Sequence, residues 1–174
     1  MSAQPHLVAI GLGSNLGDSL VLLQQAWAAL GACPAIKTLR LSEPYRTRPV
    51  GMESPHWFVN AAGLVQTTLP PLSLLTLLHT IEARFGRVRP ARAAVWHDRF
   101  LDLDLLLYAD FVLHSSRLIL PHPRMEQRLF VLTPLAEIAG MLVHPVLRQN
   151  IVTLRENLLK NVQNQTVEKI SWSK

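Results

Sequence analysis

Asp102 and Asp104 stand one residue apart in Leu101-Asp102-Leu103-Asp104-Leu105-Leu106-Leu107, an otherwise apolar run. In a β-strand alternate side chains share a face, so both carboxylates point one way and the leucines the other. Two like charges at that spacing on a half-buried strand are unfavourable unless a cation or protons offset them. Mg²⁺ suits such a pair, because it takes one or two carboxylates and completes its octahedron with water and phosphate oxygens. From spacing alone, a metal site and a solvated strand face are equal readings, since Asp-x-Asp is short and common.

The cations nearby shift that balance. Arg84, Arg87, Arg89, Arg92 and Arg99 cluster just before the carboxylates, whereas lysine is scarce until the C-terminal part. Arginine forks bind phosphate oxygens in pairs, so the cluster reads as a local phosphate site rather than as surface charge. Carboxylates, metal and arginine together are the usual apparatus of phosphoryl-type transfer, where positioning and charge neutralisation carry most of the catalysis.

Other residues are less informative alone. His122 is flanked by Pro121 and Pro123, which suits a structural turn as well as a phosphate donor. Phe58 and Asn60 alternate onto one strand face, where a core Phe beside a satisfied Asn is the simpler reading. A platform and a reader for a flat heterocycle is the sharper one. Arg128 and Phe130 are similarly ambiguous. The segment from Gly11 to Asp18 fits neither glycine-rich nucleotide pattern and is read as a tight strand-to-helix turn without catalytic work.

The elements that must position these residues follow from periodicity. The chain has 174 residues, 49% hydrophobic and 17% charged, enough for one domain with a real core, and its net charge of +5 suits an anionic ligand. We expect a single domain over 1–174, with a core over about 7–145 and a C-terminal helix and tail over 146–174. Strands are predicted at 7–10, 36–42, 58–67, 100–108 and 111–114. Helices are predicted from Asp18 to Gly31, from Pro71 to Phe85 with Leu72, Leu75, Leu78, Ile81 and Phe85 inward, over 125–138, and over 153–162. Segments 43–57 and 86–98 are long connections, and the polar tail is expected to be loose. The order β-α-β-β-α-β is the split pattern of an α/β (α+β) ferredoxin-like fold, here with extra C-terminal helices. Cys33 is the sole cysteine, so an intrachain disulfide and thiolate zinc are excluded, and it is read as a small buried residue. With no apolar run of spanning length and no signal-like start, a cytoplasmic location is expected.

Several segments, in order, resemble the 6-hydroxymethyl-7,8-dihydropterin pyrophosphokinases of folate biosynthesis. They are Ile10 to Gly17, Ser42-Glu43-Pro44-Tyr45-Arg46-Thr47, and Phe58-Val59-Asn60-Ala61-Ala62. Ile81-Glu82 through Arg89, Arg99 to Asp104, and Leu120 to Met125 through Phe130 complete the set. The resemblance implies a ferredoxin-like transferase that moves the diphosphate of ATP to the pterin's primary alcohol and releases AMP. By motif, Asp102 and Asp104 would bind two Mg²⁺ ions, and Arg87 and Arg99 would stabilise charge during transfer. Glu82, Arg89, Trp96, Arg117, His122 and Arg128 match positions that hold ATP. Phe58 and Phe130 match the aromatic pair around the pterin, while Asn60 and the backbone from Thr47 to Val50 would read its edge. ATP and the pterin are thus the expected partners of a monomer, with neither nucleic acid nor membrane.

Two departures from the family pattern matter. A Gly-Pro-Arg-Thr stretch usually precedes the carboxylate pair, but here the residues are His97-Asp98-Arg99-Phe100. Val95 stands where arginine commonly precedes the Trp, with Arg92 a few residues away. Asp98 is therefore expected to add negative charge beside the metal site and to alter loop closure. A catalytically weakened paralogue is the alternative within the family. An RNA-binding ferredoxin-like module is the alternative outside it, although Asp102 and Asp104 would repel a phosphate backbone.

Overall fold

The computed structural model describes residues 4–51, 54–87 and 98–173. Strands β1 (His6–Ser14), β2 (Ile36–Leu41), β3 (Tyr45–Thr47), β4 (Phe58–Thr67), β5 (Asp102–Tyr108) and β8 (Val167–Lys169) form one sheet, and β6 (Leu113–His114) pairs with β7 (Ile119–Leu120). The order β5-β1-β4 continues through β3 to β8, while β2 also pairs with β4. Every pairing is antiparallel. The ten-residue β4 takes β3 against Phe58–Asn60 and β2 against Gly63–Thr67, so two short strands share its outer edge. Strands β5, β1, β4 and β2 with two helices are the expected ferredoxin-like core.

Alternation along the strands divides the core into two layers. Val8, Ile10 and Leu12 of β1 join Ala61 and Val65 of β4 and Leu103 and Leu105 of β5 beneath α1 (Ser19–Gly31) and α2 (Pro71–Arg84). Ala9, Ala62, Leu64, Leu106 and Leu107 face α3 (Leu129–Ala139) and α4 (Ile151–Asn161). Asp18 caps α1, its carboxylate accepting from Val21 N, and Pro71 opens α2, where a missing N–H costs nothing. Of the predicted inward set on α2, Leu78 and Ile81 are buried and Leu75 and Phe85 pack against the core, whereas Leu72 is exposed; Leu74 and Glu82 are buried as well. A buried Glu there has a polar task, described below.

Several expectations are corrected. Only residues 15–18 make the turn into α1, with Gly17 at φ 70; β1 runs to Ser14, with Gly11 and Gly13 inside the ladder. Segment 43–57 contains β3, and the polar tail is anchored, since β8 pairs with β3 and Trp172 Nε1 donates to Ser42 O at 3.1 Å. Residues 125–138 are not one helix. A 3-10 turn at Met125–Gln127 precedes α3, with Arg124 in the left-handed region (φ 66) where the chain reverses. The strand predicted over 111–114 is reduced to β6, and Cys33 is half-buried just beyond α1. No helix among the described residues is long and apolar enough to cross a membrane.

Candidate active site

A cavity opens on the sheet face that α3 covers, toward one end of the strands. Its floor is set by register: Asp102 pairs with Gly13, Gly13 with Asn60, and Asn60 with Tyr45, while Asp104 pairs with Gly11. Asp102, Asp104, Gly11, Gly13, Asn60 and Phe58 all line it, with Thr47 from β3. The two glycines lie between the carboxylates and the carboxamide, and their missing side chains keep the floor open. A Cβ on Gly13 would sit 2.9 Å from Asn60 Oδ1. Alternating glycines in an apolar strand signal such close approach, and this is the cue the sequence reading passed over.

The aromatic side of the cavity is held within the sheet. Asn60 Nδ2 donates to Thr47 Oγ1 at 2.7 Å, and both residues are buried. Phe58 from β4 and Phe130 from α3 line the same cavity, with Val50 and Arg48 from the segment after β3. Arg99 lies over the Phe58 ring at 5.6 Å and Arg128 over Phe130 at 5.5 Å, so each ring carries a guanidinium.

The charged side is a network. Arg87 Nη1 donates to Glu82 Oε1 at 2.6 Å, to Leu101 O at 3.4 Å, and to Asp102 Oδ1. Glu82 Oε1 also accepts from Leu103 N at 2.8 Å. Arg99 Nη2 lies 3.1 Å from Asp102 Oδ2, so Asp102 sits between two arginines. Burial, and then the nearby Arg87, bring Arg99 down to about 10, still cationic at neutral pH. Burial likewise lowers Arg128 and His122 from their ordinary values, with Asp104 opposing both shifts. His122 Nε2 lies 3.9 Å from Asp104 Oδ1.

Of the expected site residues, Thr47, Val50, Phe58, Asn60, Arg99, Asp102, Asp104, Arg128 and Phe130 line one cavity. Arg87 and His122 flank its carboxylates. Glu82 does not line the cavity: it is 1% exposed on α2, and its bonds to Arg87 and to Leu103 N tie Arg87 and β5 together. Arg117 is on the exposed turn between β6 and β7, outside the cavity lining, where its N–H donates to Ser115 Oγ. Arg89 and Trp96 lie outside the described residues. Asp98, expected beside the metal site, instead accepts from Asn15 Nδ2 at 2.6 Å.

The family model for 7,8-dihydro-6-hydroxymethylpterin-pyrophosphokinase (HPPK) matches residues 9–140. The chain belongs to this family. The 2-amino-4-hydroxy-6-hydroxymethyldihydropteridine pyrophosphokinase of Methylorubrum extorquens is 45% identical over 134 residues, covering 77% of this chain and 83% of its own. Its Bacillus subtilis namesake is 44% identical over 133 residues, covering 76% of this chain and 78% of its own. Among solved structures, wild-type HPPK-DHPS of Plasmodium falciparum superposes with a TM-score of 0.73 over 91% of this chain at 15% identity, a likeness of fold. This chain spans 45% of that longer one. As an HPPK it is an enzyme, a pyrophosphokinase of folate biosynthesis.

Proposed function

We propose that the chain transfers the β,γ-diphosphate of ATP to the hydroxymethyl oxygen of 6-hydroxymethyl-7,8-dihydropterin. The alcohol oxygen bonds to the β-phosphorus, the bond from that phosphorus to the α–β bridging oxygen breaks, and AMP leaves. The alcohol proton is released. The carrying observation is that Asp102, Asp104 and Arg99 share one cavity with Phe58, Asn60 and Phe130. Metal and phosphate ligands thus stand beside groups suited to a flat, hydrogen-bonding heterocycle.

Asp102 and Asp104 would hold Mg²⁺, two ions in our reading. The donor set fits: two carboxylates on one strand face, with no group of three or more acidic, His or Cys ligands able to hold a metal among the described residues. A carboxylate pair on one strand face suits a cation that takes its other ligands from water and phosphate. When bound, Mg²⁺ supplies charge neutralisation on the phosphate oxygens.

The chain's own groups do the rest. Arg99 and Arg87 present guanidinium charge where negative charge builds during transfer, and they occupy Asp102 in the ligand-free protein. His122 and Arg128 face the ATP phosphates in this reading, with Arg89, Trp96 and Arg117 completing that grip. Glu82 serves by holding Arg87. The side chain of Asn60 and the backbone from Thr47 to Val50 read the pterin edge, while Phe58 and Phe130 stack on it. The reading carries with it a cytoplasmic monomer built as one domain.

The test is incubation with Mg-ATP and the reduced hydroxymethyl-pterin, with AMP and the pterin diphosphate read by chromatography. Stoichiometric AMP is expected. Tight pterin binding without AMP would overturn the catalytic reading in favour of a binding paralogue.

A further inference from the structure

Arg99 enters the cavity from the stretch just before β5, which is neither helix nor strand. Asn15, following β1, fixes that stretch by three hydrogen bonds. Its N–H donates to Arg99 O at 3.1 Å, and its Oδ1 accepts from Arg99 N at 2.8 Å. Its Nδ2 donates to Asp98 Oδ1 at 2.6 Å. A carboxylate only accepts and a backbone N–H only donates, so a carboxamide between them has one orientation that satisfies both. Without Asp98 the amide NH₂ loses its acceptor, and only the Arg99 N–H is left to hold this orientation. The reversed rotamer would aim its NH₂ at Arg99 N–H. Asn15 is 5% exposed, so water is a poor substitute for the missing acceptor.

The second oxygen of Asp98 lies 4.0 Å from His56 Nε2, in the segment that follows β3. Phe100, on the other side of Arg99, packs over Gly17, where a Cβ would meet its ring at 3.4 Å. Arg99 is therefore braced from both sides by residues that do not touch the cavity.

We propose that Asp98, acting through the Asn15 carboxamide, is a positioning residue for Arg99. It sets the backbone from which the guanidinium reaches Asp102 and the Phe58 ring. The inference deepens the diphosphate-transfer reading and rests on it.

Steady-state AMP formation by single and double variants tests it. Asp98→Ala is expected to lower kcat about tenfold while KM for ATP and for the pterin each move less than about twofold, as misplacement of a transition-state group should. Asp98→Asn keeps an oxygen for the Asn15 amide and is expected to recover most of that loss. In an Arg99→Ala background, Asp98→Ala is expected to change kcat by less than about twofold, because the group it positions is gone. A merely structural brace would lower the melting temperature and leave the two kcat effects multiplying. That multiplication, an unchanged kcat in Asp98→Ala, or an Asp98→Asn enzyme as slow as Asp98→Ala would each overturn the inference. If Asp98→Ala does not fold, Asp98→Gln, which displaces the acceptor by one methylene, is put through the same cycle. Absence of AMP from the unaltered chain would overturn the function reading and this inference with it; AMP without the coupling overturns this inference alone.

Discussion

On one side of the cavity Gly13, Asn60 and Thr47 take their places from the ladder of a single sheet. On the other, Arg87 and Arg99 come from segments outside the ladder and are placed by contacts with Glu82, Asp102 and Asn15. A ladder position is fixed by many cooperative bonds and barely changes when a ligand arrives. An ion-pair position depends on its partner, and ligand phosphate or metal competes for that partner. The aromatic side is thus preorganised by the sheet, whereas the arginines are held by partners for which an anion or a cation can compete.

Asp102→Asn tests the charged side most severely. We expect AMP formation to fall about 100-fold or more, the scale for losing a group that organises transition-state charge. Asp104→Asn should slow turnover comparably but leave the melting temperature closer to that of the unaltered chain. Asp102 is bound by two arginines, whereas Asp104 has His122 at 3.9 Å, an imidazole that burial holds toward its neutral form. Equal stability losses in the two variants would remove the distinction between them.

Gly13→Ala should act on the opposite side. Its Cβ would lie 2.9 Å from Asn60 Oδ1, so Asn60 must shift from its 2.7 Å bond to Thr47. Pterin affinity, followed by fluorescence titration, is expected to weaken about tenfold, with ATP affinity within about twofold, as for misplacing one buried hydrogen-bonding group. Equal weakening of both ligands would mean that the two sides are not separately held.

Tyr45→Phe probes how firmly β3 is held. Tyr45 OH donates to Glu137 Oε2 at 2.6 Å, and Glu137 Oε1 accepts from Glu43 N at 3.0 Å. Removing the hydroxyl should cost about 1–2 kcal/mol in denaturant unfolding. Burial pushes the Glu137 carboxyl up, but donors from Glu43, Tyr45 and Lys169 outweigh it and hold it below its ordinary 4.5. A carboxylate lowered in the fold stabilises above its unfolded pKa, and that contribution is lost as pH falls through the folded value. Below about pH 4.5 the unaltered chain should therefore lose stability, and Tyr45→Phe should lose less on the same acid limb.

Much of this site was legible in the chain. Asp102 and Asp104 had to share a face because strands alternate, and the arginines before them marked phosphate. The helix from Asp18 to Gly31 and the strand from Phe58 to Thr67 stood out by period and caps. The glycines of β1 were misread because a glycine in isolation signals a turn, and only the neighbours across the sheet show that it stands in a strand. Strand β8 was missed because three half-polar residues carry no period of their own; pairing with β3 makes them a strand.

Glu82 and Asp98 show the same boundary. The family resemblance implied an ATP-holding role for Glu82, and Asp98 was expected as an extra charge beside the metal. In the fold one holds Arg87 and the other meets Asn15, far away along the chain. The sequence by itself determined the period of each main element, the pairing of the two carboxylates and the local excess of arginine, since all three depend on near neighbours. Only the tertiary structure decided which acids face the cavity and which hold the arginines there. A carboxylate's role is set by the cations and donors packed against it, and some of these, Asn15 for Asp98 and the Leu103 N–H for Glu82, come from distant parts of the chain.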